Sequence, residues 1–208
     1  MLAEGIHAAG LMAQPPEAAG TPPAWVGSVE VADVDASAAQ AAALGGTIHV
    51  PGQDIPNIGR FAAIADPQGA VLCLFRGTTD AMPPVAAPGH IGWNELMAGD
   101  VPTVWPFYAA LFRWTKAEAI DMGPMGTYQL FAAGGTTIGG MMNRPPEMPV
   151  AAWQYYIAVP DIDAAMTRAT ASGGQVINGP MEVPGGAWVI NAIDPQGAHF
   201  SLVGARAT

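Results

Sequence analysis

The chain has 208 residues, half of them apolar and 12% charged, with a formal net charge of −10 and one cysteine. That is enough apolar chain to bury a core, while seven basic residues in all exclude a nucleic-acid surface of clustered Lys and Arg and disfavour anionic membranes. No stretch of about eighteen apolar residues is present to span a bilayer; Cys73 has no partner for an internal disulfide, no signal peptide is visible, and a cytoplasmic location is expected.

In chain order, the segment around Glu4 to Met12 reads as the last strands of a module. Ala13 to Ala24 carries four prolines and reads as a connector. Trp25 to Phe75 reads as a complete strand–helix–three-strand module, and Gly77 to Gly89, with Pro83, Pro84 and Pro88, as a linker. Ile91 to Met97 is expected to be a strand, followed by Asp100 as a helix N-cap and a helix from Val101 to Trp114. Pro102 is tolerated in the first turn, whereas Pro106 implies a kink or a late start. Strands are then expected at Met125 to Ala132 and Thr136 to Met142. The order repeats: strand Trp153 to Val159, a helix capped by Asp161 and ended near Ser172 by Gly173-Gly174, then strands Gln175 to Ile177, Ala187 to Ile193 and His199 to Val203, with Asp194-Pro-Gln-Gly as a tight turn.

The chain contains itself twice. Trp25 to Leu74 lies over Trp153 to Leu202 without a gap at an offset of 128 (153 − 25). Asp66-Pro-Gln-Gly-Ala70 matches Asp194-Pro-Gln-Gly-Ala198, and Gly10-Leu-Met-x-x-Pro-Pro-Glu17 matches Gly140-Met-Met-x-x-Pro-Pro-Glu147. A duplicated unit follows. The second copy has a full lead-in from about His90 that the first lacks. The expected organisation is therefore 1–76, an N-terminal domain without its first strand and helix; 77–89, a linker; and 90–208, a complete C-terminal domain.

A doubled strand–helix–three-strand unit closing on an Asp-Pro-x-Gly turn resembles the vicinal oxygen chelate (VOC) superfamily of glyoxalases, bleomycin resistance proteins and extradiol dioxygenases. Asp100 with Phe107-Tyr108 and Leu111-Phe112-x-Trp114 matches the family's opening helix, and Asp161, Gly173-Gly174 and Asp194-Pro-Gln-Gly match its closing half. More narrowly, Trp93-Asn-Glu-Leu-Met and the paired copies resemble the two-domain actinobacterial glyoxalase-like proteins. The resemblance implies an α+β fold, with tandem βαβββ modules forming curved, cup-shaped mixed sheets.

In that family, metal ligands project into the cup seven residues before the helix-capping Asp and seven after the Asp of the Asp-Pro turn. Carried onto this chain, those positions are Trp93, Gln154 and Ser201 in the second copy and Val26 and Cys73 in the first. A divalent ion prefers imidazole, thiolate or carboxylate, so no metal cofactor is expected, with a divalent metal at unorthodox positions as the alternative. Strand alternation adds Glu95, Tyr156 and His199 to the inward face, and Trp188 on the neighbouring strand. Aromatic walls with a few polar groups are the usual lining of a small-molecule pocket.

Trp93, Trp188 and Tyr156 read either as core or as ligand-stacking groups. Glu95 reads as a rim or ion-paired residue or as a base, since a carboxylate is costly to bury unpaired. His199 reads as a merely hydrogen-bonded residue or as an acid–base group. The expected function is metal-free binding of a small organic ligand by Trp93, Gln154, Tyr156, Trp188 and Ser201. The alternative is a glyoxalase-like lyase or isomerase acting on a small carbonyl compound with Glu95 or His199 as base. A third is a vestigial cup with a role in assembly. The incomplete first copy predicts that another chain covers its open edge, as in a homodimer.

Overall fold

The computed structural model describes residues 1–3, 6–14, 20–78 and 86–206. Part of the N-terminal strand region (4–5), the middle of the proline-rich connector (15–19) and most of the expected linker (79–85) lie outside the described residues.

A short hairpin, β1 (Leu2–Ala3) and β2 (Ile6–His7), precedes a module of β3 (Ser28–Glu30), α1 (Val34–Ala43), β4 (Thr47–Ile55), β5 (Gly59–Ala65) and β6 (Val71–Gly77). The next module is β7 (Ile91–Ala98), α2 (Val101–Phe112), β8 (Thr115–Asp121), β9 (Thr127–Ala133) and β10 (Thr136–Asn143). The last is β11 (Ala152–Val159), α3 (Ile162–Ala171), β12 (Gln175–Glu182), β13 (Trp188–Ile193) and β14 (His199–Gly204). The fold is α+β, with curved mixed sheets. Besides the β1-β2 hairpin, the strand orders are β3-β6-β5-β4, β7-β10-β9-β8 and β12-β13-β14-β11.

Each helix begins the same way. Asp33, Asp100 and Asp161 are extended N-caps whose carboxylates accept the N–H of the residue three positions on, Ala36, Thr103 and Ala164, at 2.9–3.0 Å. Such a cap gives an acceptor to one of the amide N–H groups that the first helical turn leaves without a partner. At Asp100, the Thr103 hydroxyl and amide hold the carboxyl below its ordinary range. Helix α2 starts at Val101 and continues through Pro106, so the expected late start does not occur. The carbonyl that loses its helical partner there belongs to Pro102, in an exposed first turn where water can serve it. Strand β8, which the strand–helix–three-strand order requires, was not located in the sequence, and β12 runs five residues past the expected Ile177, to Glu182, through register shifts against β13.

The chain resolves into two compact units. The first comprises Met1–Trp25, Met82–Trp93 and Tyr155–Thr208, and the second Val26–Ala81 and Asn94–Gln154. The second unit thus contains the β3 to β6 module together with most of the β7 to β10 module.

In the first unit, α3 covers one face of the β11-β14-β13-β12 sheet. Ile162 and Ala165 pack there on Ile190 and Leu202, flanked by Ile157, Met166, Trp188 and Phe200. Strand alternation turns Tyr156, Ser201 and Asn191 to the opposite face.

In the second unit, Val34, Ala38 and Ala41 of α1 join Ile64, Leu72 and Leu74 of the four-stranded sheet in one core with Val104, Phe107 and Tyr108 of α2 and Leu96, Phe131 and Met141 beneath it. Tyr108 stacks on Trp114 at 5.7 Å, Trp114 stacks on Phe131 at 4.7 Å, and Trp153 meets Tyr108 edge-on at 5.4 Å. The repeated Asp-Pro-Gln-Gly turn holds the two modules of this unit together. Asp66 accepts the N–H groups of Gln68 and Ala70 on Oδ1 and the Tyr108 hydroxyl on Oδ2 at 2.7 Å, and Trp153 Nε1 donates to that hydroxyl at 3.0 Å. Gln68 binds both main-chain groups of Asp100, donating to its carbonyl and accepting its N–H. Asp66 is thus more than a local turn former, because its second oxygen anchors α2.

Candidate functional site

On the face of the first unit away from α3, a row of side chains crosses four strands. Tyr156 of β11 is registered beside Ser201 of β14, Ser201 beside Asn191 of β13, and Asn191 beside Asn178 of β12. Asn191 Nδ2 donates to Ser201 Oγ at 3.1 Å, and Asn178 Nδ2 donates to Asn191 Oδ1 at 3.5 Å. Ser201 is 1% exposed and Tyr156 is also buried, while Asn178 at the outer end is exposed. The row therefore runs from water into a buried hydroxyl. It offers neutral donors and acceptors and no charge.

The first copy contains the same row 128 positions earlier (201 − 73). Ser28 is registered beside Cys73, Cys73 beside Ala63, and Ala63 beside Val50. The register is conserved between the copies while the chemistry is not. Where the later copy has a hydroxyl between a phenol and two amides, the earlier has a thiol beside Ala63 and Val50. Burial pushes the Cys73 thiol above its ordinary pKa, which keeps it protonated and a poor metal ligand or nucleophile at neutral pH.

The second unit presents a related face on β7, β10 and β9. Leu96, Met141 and Phe131 point toward α2, so their neighbours Glu95, Gly140 and Leu130 point away from it. Glu95 is registered beside Gly140, and Gly140 beside Leu130. The Tyr128 ring lies against Gly140, where any side chain would collide with its hydroxyl end. Gly140 thus lets a phenol lie over the strand position beside a carboxylate. Tyr128 was missed in the sequence; its signal is the Gly139-Gly140 pair between Ile138 and Met141 in the strand, which marks close approach to the backbone.

The other expected site residues are distributed as follows. Trp93 on β7 is half-buried in the first unit, and Gln154 on β11 is half-buried in the second. His199 is exposed at the start of β14, opposite Ile193. Trp188 does not share the Ser201 face. It alternates with Val189 on β13 and packs with Ile190 on the α3 side, where the Arg206 guanidinium lies 4.5 Å above its ring and pairs with Asp163 at 2.9 Å. Among the described residues, no group of three or more His, Cys, Asp or Glu side chains is placed to hold a metal ion. No helix of the described residues is long and apolar enough to cross a membrane.

Repeated βαβββ modules, with helices packed on one face of curved sheets and the other face free to vary in chemistry, define a class of fold that supports several chemistries. A family model described as the Glyoxalase/Bleomycin resistance protein/Dioxygenase superfamily matches residues 88–202, and the chain belongs to this superfamily. The putative glyoxylase CFP32 of Mycobacterium tuberculosis (strain CDC 1551 / Oshkosh) is 33% identical over 201 residues, covering 96% of this chain and 77% of the relative. The anthracycline biosynthesis protein DnrV of Streptomyces peucetius is 32% identical over 190 residues, covering 90% and 68%. Among solved structures, the Mn(II)-bound glyoxalase from Novosphingobium aromaticivorans aligns with a TM-score of 0.58 at 14% identity, covering 85% of this chain and 61% of that one. The 2,3-dioxygenase LapB from Pseudomonas sp. KL28 aligns at 0.57, also at 14% identity, covering 86% and 71%. These structural likenesses establish the fold.

Proposed function

We propose that the chain binds a small, neutral organic ligand without a metal, using the face that carries Tyr156, Ser201 and Asn191. The observation that carries this reading is the hydrogen-bonded row ending on Ser201. At the position where the family places an anionic ligand, a buried hydroxyl already accepts an amide N–H. The other matched positions are an indole at Trp93 and a neutral amide at Gln154. None of these side chains is of the kind a divalent ion prefers, since it needs deprotonated or imidazole ligands to offset its dehydration. The Tyr156, Ser201 and Asn191 row fits a ligand with carbonyl or hydroxyl groups on an apolar frame, oriented by a few polar contacts beside the Tyr156 ring.

The name of the Streptomyces relative makes anthracyclines a sensible first probe. The test is thermal shift with anthracyclines and other polyketide-like carbonyl compounds, before and after exhaustive chelation, alongside metal analysis of the purified protein. The reading expects a ligand-induced rise in Tm that chelation leaves unchanged. A stoichiometric metal whose removal abolishes the rise would refute it.

A second reading, a lyase or isomerase acting on a small carbonyl compound, draws on the Tyr128 phenol over Gly140 beside the Glu95 position and on the word glyoxylase in the mycobacterial relative's name. In it, Glu95 would take a proton and Tyr128 would donate a hydrogen bond to the developing oxyanion. His199 remains the other candidate base. Turnover of a keto substrate that is lost in Glu95→Gln with binding retained would favour this reading. A homodimer remains part of the proposal, with light scattering of the purified chain as its measurement.

A further inference from the structure

The same five residues occur twice in this chain, and in the first copy they dock a second helix. In the first copy, the Asp66-Pro-Gln-Gly-Ala70 turn meets α2 at several points. The Asp66 Oδ2 takes the Tyr108 hydroxyl, Gln68 clasps both main-chain groups of Asp100, Gln40 of α1 donates to the Ala110 carbonyl in the last turn, and the Phe107 ring lies on Gly46.

In the second copy, Asp194 binds its own turn amides through Oδ1 in the same way. Among the described residues, however, its Oδ2 has no hydrogen-bond partner and the Gln196 side chain has none. Ala41 and Ala65 of the first copy are 0% and 3% exposed, whereas their counterparts Ala169 and Ile193 are both partly exposed, as is Met166, the repeat counterpart of the buried Ala38. The position of Gln40 is taken by Arg168, an exposed cation in the last turn of α3.

We propose that this surface, Met166, Arg168, Ala169, Ile193, Asp194 and Gln196, docks a further βαβββ module of the same repeat, through a helix equivalent to α2. The required chemistry is specific. The helix must present an N-cap main chain to Gln196 and, eight residues on, as Tyr108 follows Asp100, a hydroxyl donor to Asp194. Its last carbonyls must face Arg168, where a cation at a helix C-terminus is favoured. The apolar strip is small, so specificity rests on these three polar points rather than on area. The mycobacterial relative is longer than the segment matched here, which accounts for 77% of its length, so there is room for such a module in this family.

The test supplies the module in cis, by fusing a second copy of residues 86–151 ahead of Met1. The expected result is amide exchange at Ala198 about tenfold slower than in the parent chain. Gln196→Ala and Asp194→Asn should lower Tm in the fusion and leave the parent unchanged, whereas Gln68→Ala should lower Tm in both. As a second measurement that does not depend on the fusion folding, a peptide of residues 99–115 is titrated onto the parent chain. Resonance shifts are expected at 166–169 and 193–198, and should be lost in Gln196→Ala. Unchanged Ala198 exchange together with no peptide-induced shift overturns the proposal. So does a parent chain that is already a dimer and dissociates in Gln196→Ala, which would put a second copy of this chain on the surface.

Discussion

Tyr108→Phe removes one oxygen atom from the interior of the second unit and leaves the ring packing in place. That oxygen donates to Asp66 Oδ2 at 2.7 Å and accepts from Trp153 Nε1 at 3.0 Å, and Asp66 is 2% exposed. Among the described residues, Oδ2 accepts from no other group, so the variant strands a buried carboxylate oxygen. A hydrogen bond to a charged group contributes about 1.5–3 kcal/mol, and an orphaned buried acceptor costs its full desolvation. The expected loss is about 2–3 kcal/mol in urea unfolding, which for a chain of this size lowers Tm by about 4–12 °C. Asp66→Asn should overlap with it. The double variant should cost less than the sum of the singles by more than about 0.5 kcal/mol, because both remove the same contact. The repeated motif supplies an internal control: Asp194→Asn keeps the turn geometry and loses no partner on Oδ2, so it should cost much less than Asp66→Asn. A Tyr108→Phe variant within about 0.5 kcal/mol of the parent, or equal costs at Asp66 and Asp194, would refute the anchoring role of the turn.

Gly140→Val should displace the Tyr128 ring that occupies the space beside Gly140. We expect a loss of about 1–3 kcal/mol from overpacking and, if catalysis on the Glu95 face operates, a fall in turnover larger than the effect on binding, both measured on one preparation. The Asp35 carboxyl is held below its ordinary pKa by hydrogen bonds from Arg60. A depressed folded-state pKa contributes stability that is present above the unfolded value and lost as pH falls through the folded one. The Asp35 titration followed by NMR should therefore move up toward the ordinary carboxylate value in Arg60→Ala, and an unchanged midpoint would contradict the pairing. Burial raises the Cys73 thiol pKa, so its reaction with a disulfide reagent at neutral pH should be slow in the folded chain and should accelerate on unfolding. Equal rates in the two states would mean that the thiol is neither shielded nor shifted.

The parts of this structure visible in the sequence are those encoded locally. The three capping aspartates, the glycine pairs after α1 and α3 and the Asp-Pro-Gln-Gly turns each carry their conformation in a few adjacent residues. Strand β8 escaped notice because its positions are almost all exposed, so no apolar alternation marks it. The far end of β12 was missed because two register shifts against β13 break the period of two. The site was legible in part. Ser201 and Tyr156 are neighbours on one face, as spacing from the caps implies, but the partner that sets the chemistry, Asn191, is fixed by antiparallel register ten residues away. Trp188 shows the limit of counting along a strand: the register across β13 and β14 puts it with Ile190 under α3, where Arg206 covers its ring. The contacts of Asp66 with Tyr108 and of Gln68 with Asp100 span 42 and 32 residues and have no local signature.

The two copies also bear on why one face and not the other is the better candidate for binding. Duplication gives both copies the same register, so a difference between equivalent rows does not arise from backbone geometry. In the earlier copy the row is Ser28, Cys73, Ala63 and Val50, which needs few hydrogen-bond partners and can be satisfied by packing. In the later copy, Ser201 and Asn191 place polar groups at or near the buried end of the row, where each unsatisfied group costs about 1–3 kcal/mol. Packing alone would favour apolar residues at those positions, as at Ala63. A polar row where the fold tolerates an apolar one is what supports the proposed ligand site on this face. The argument has a direct consequence. Replacing Asn191 by Ala, its first-copy equivalent, together with Ser201→Cys should leave the fold intact and remove ligand binding, whereas Ala63→Asn with Cys73→Ser should destabilise the second unit without creating binding. Circular dichroism and ligand-induced thermal shift on the two double variants separate these outcomes, and retained binding in the Asn191→Ala, Ser201→Cys variant would take the polar row out of the site.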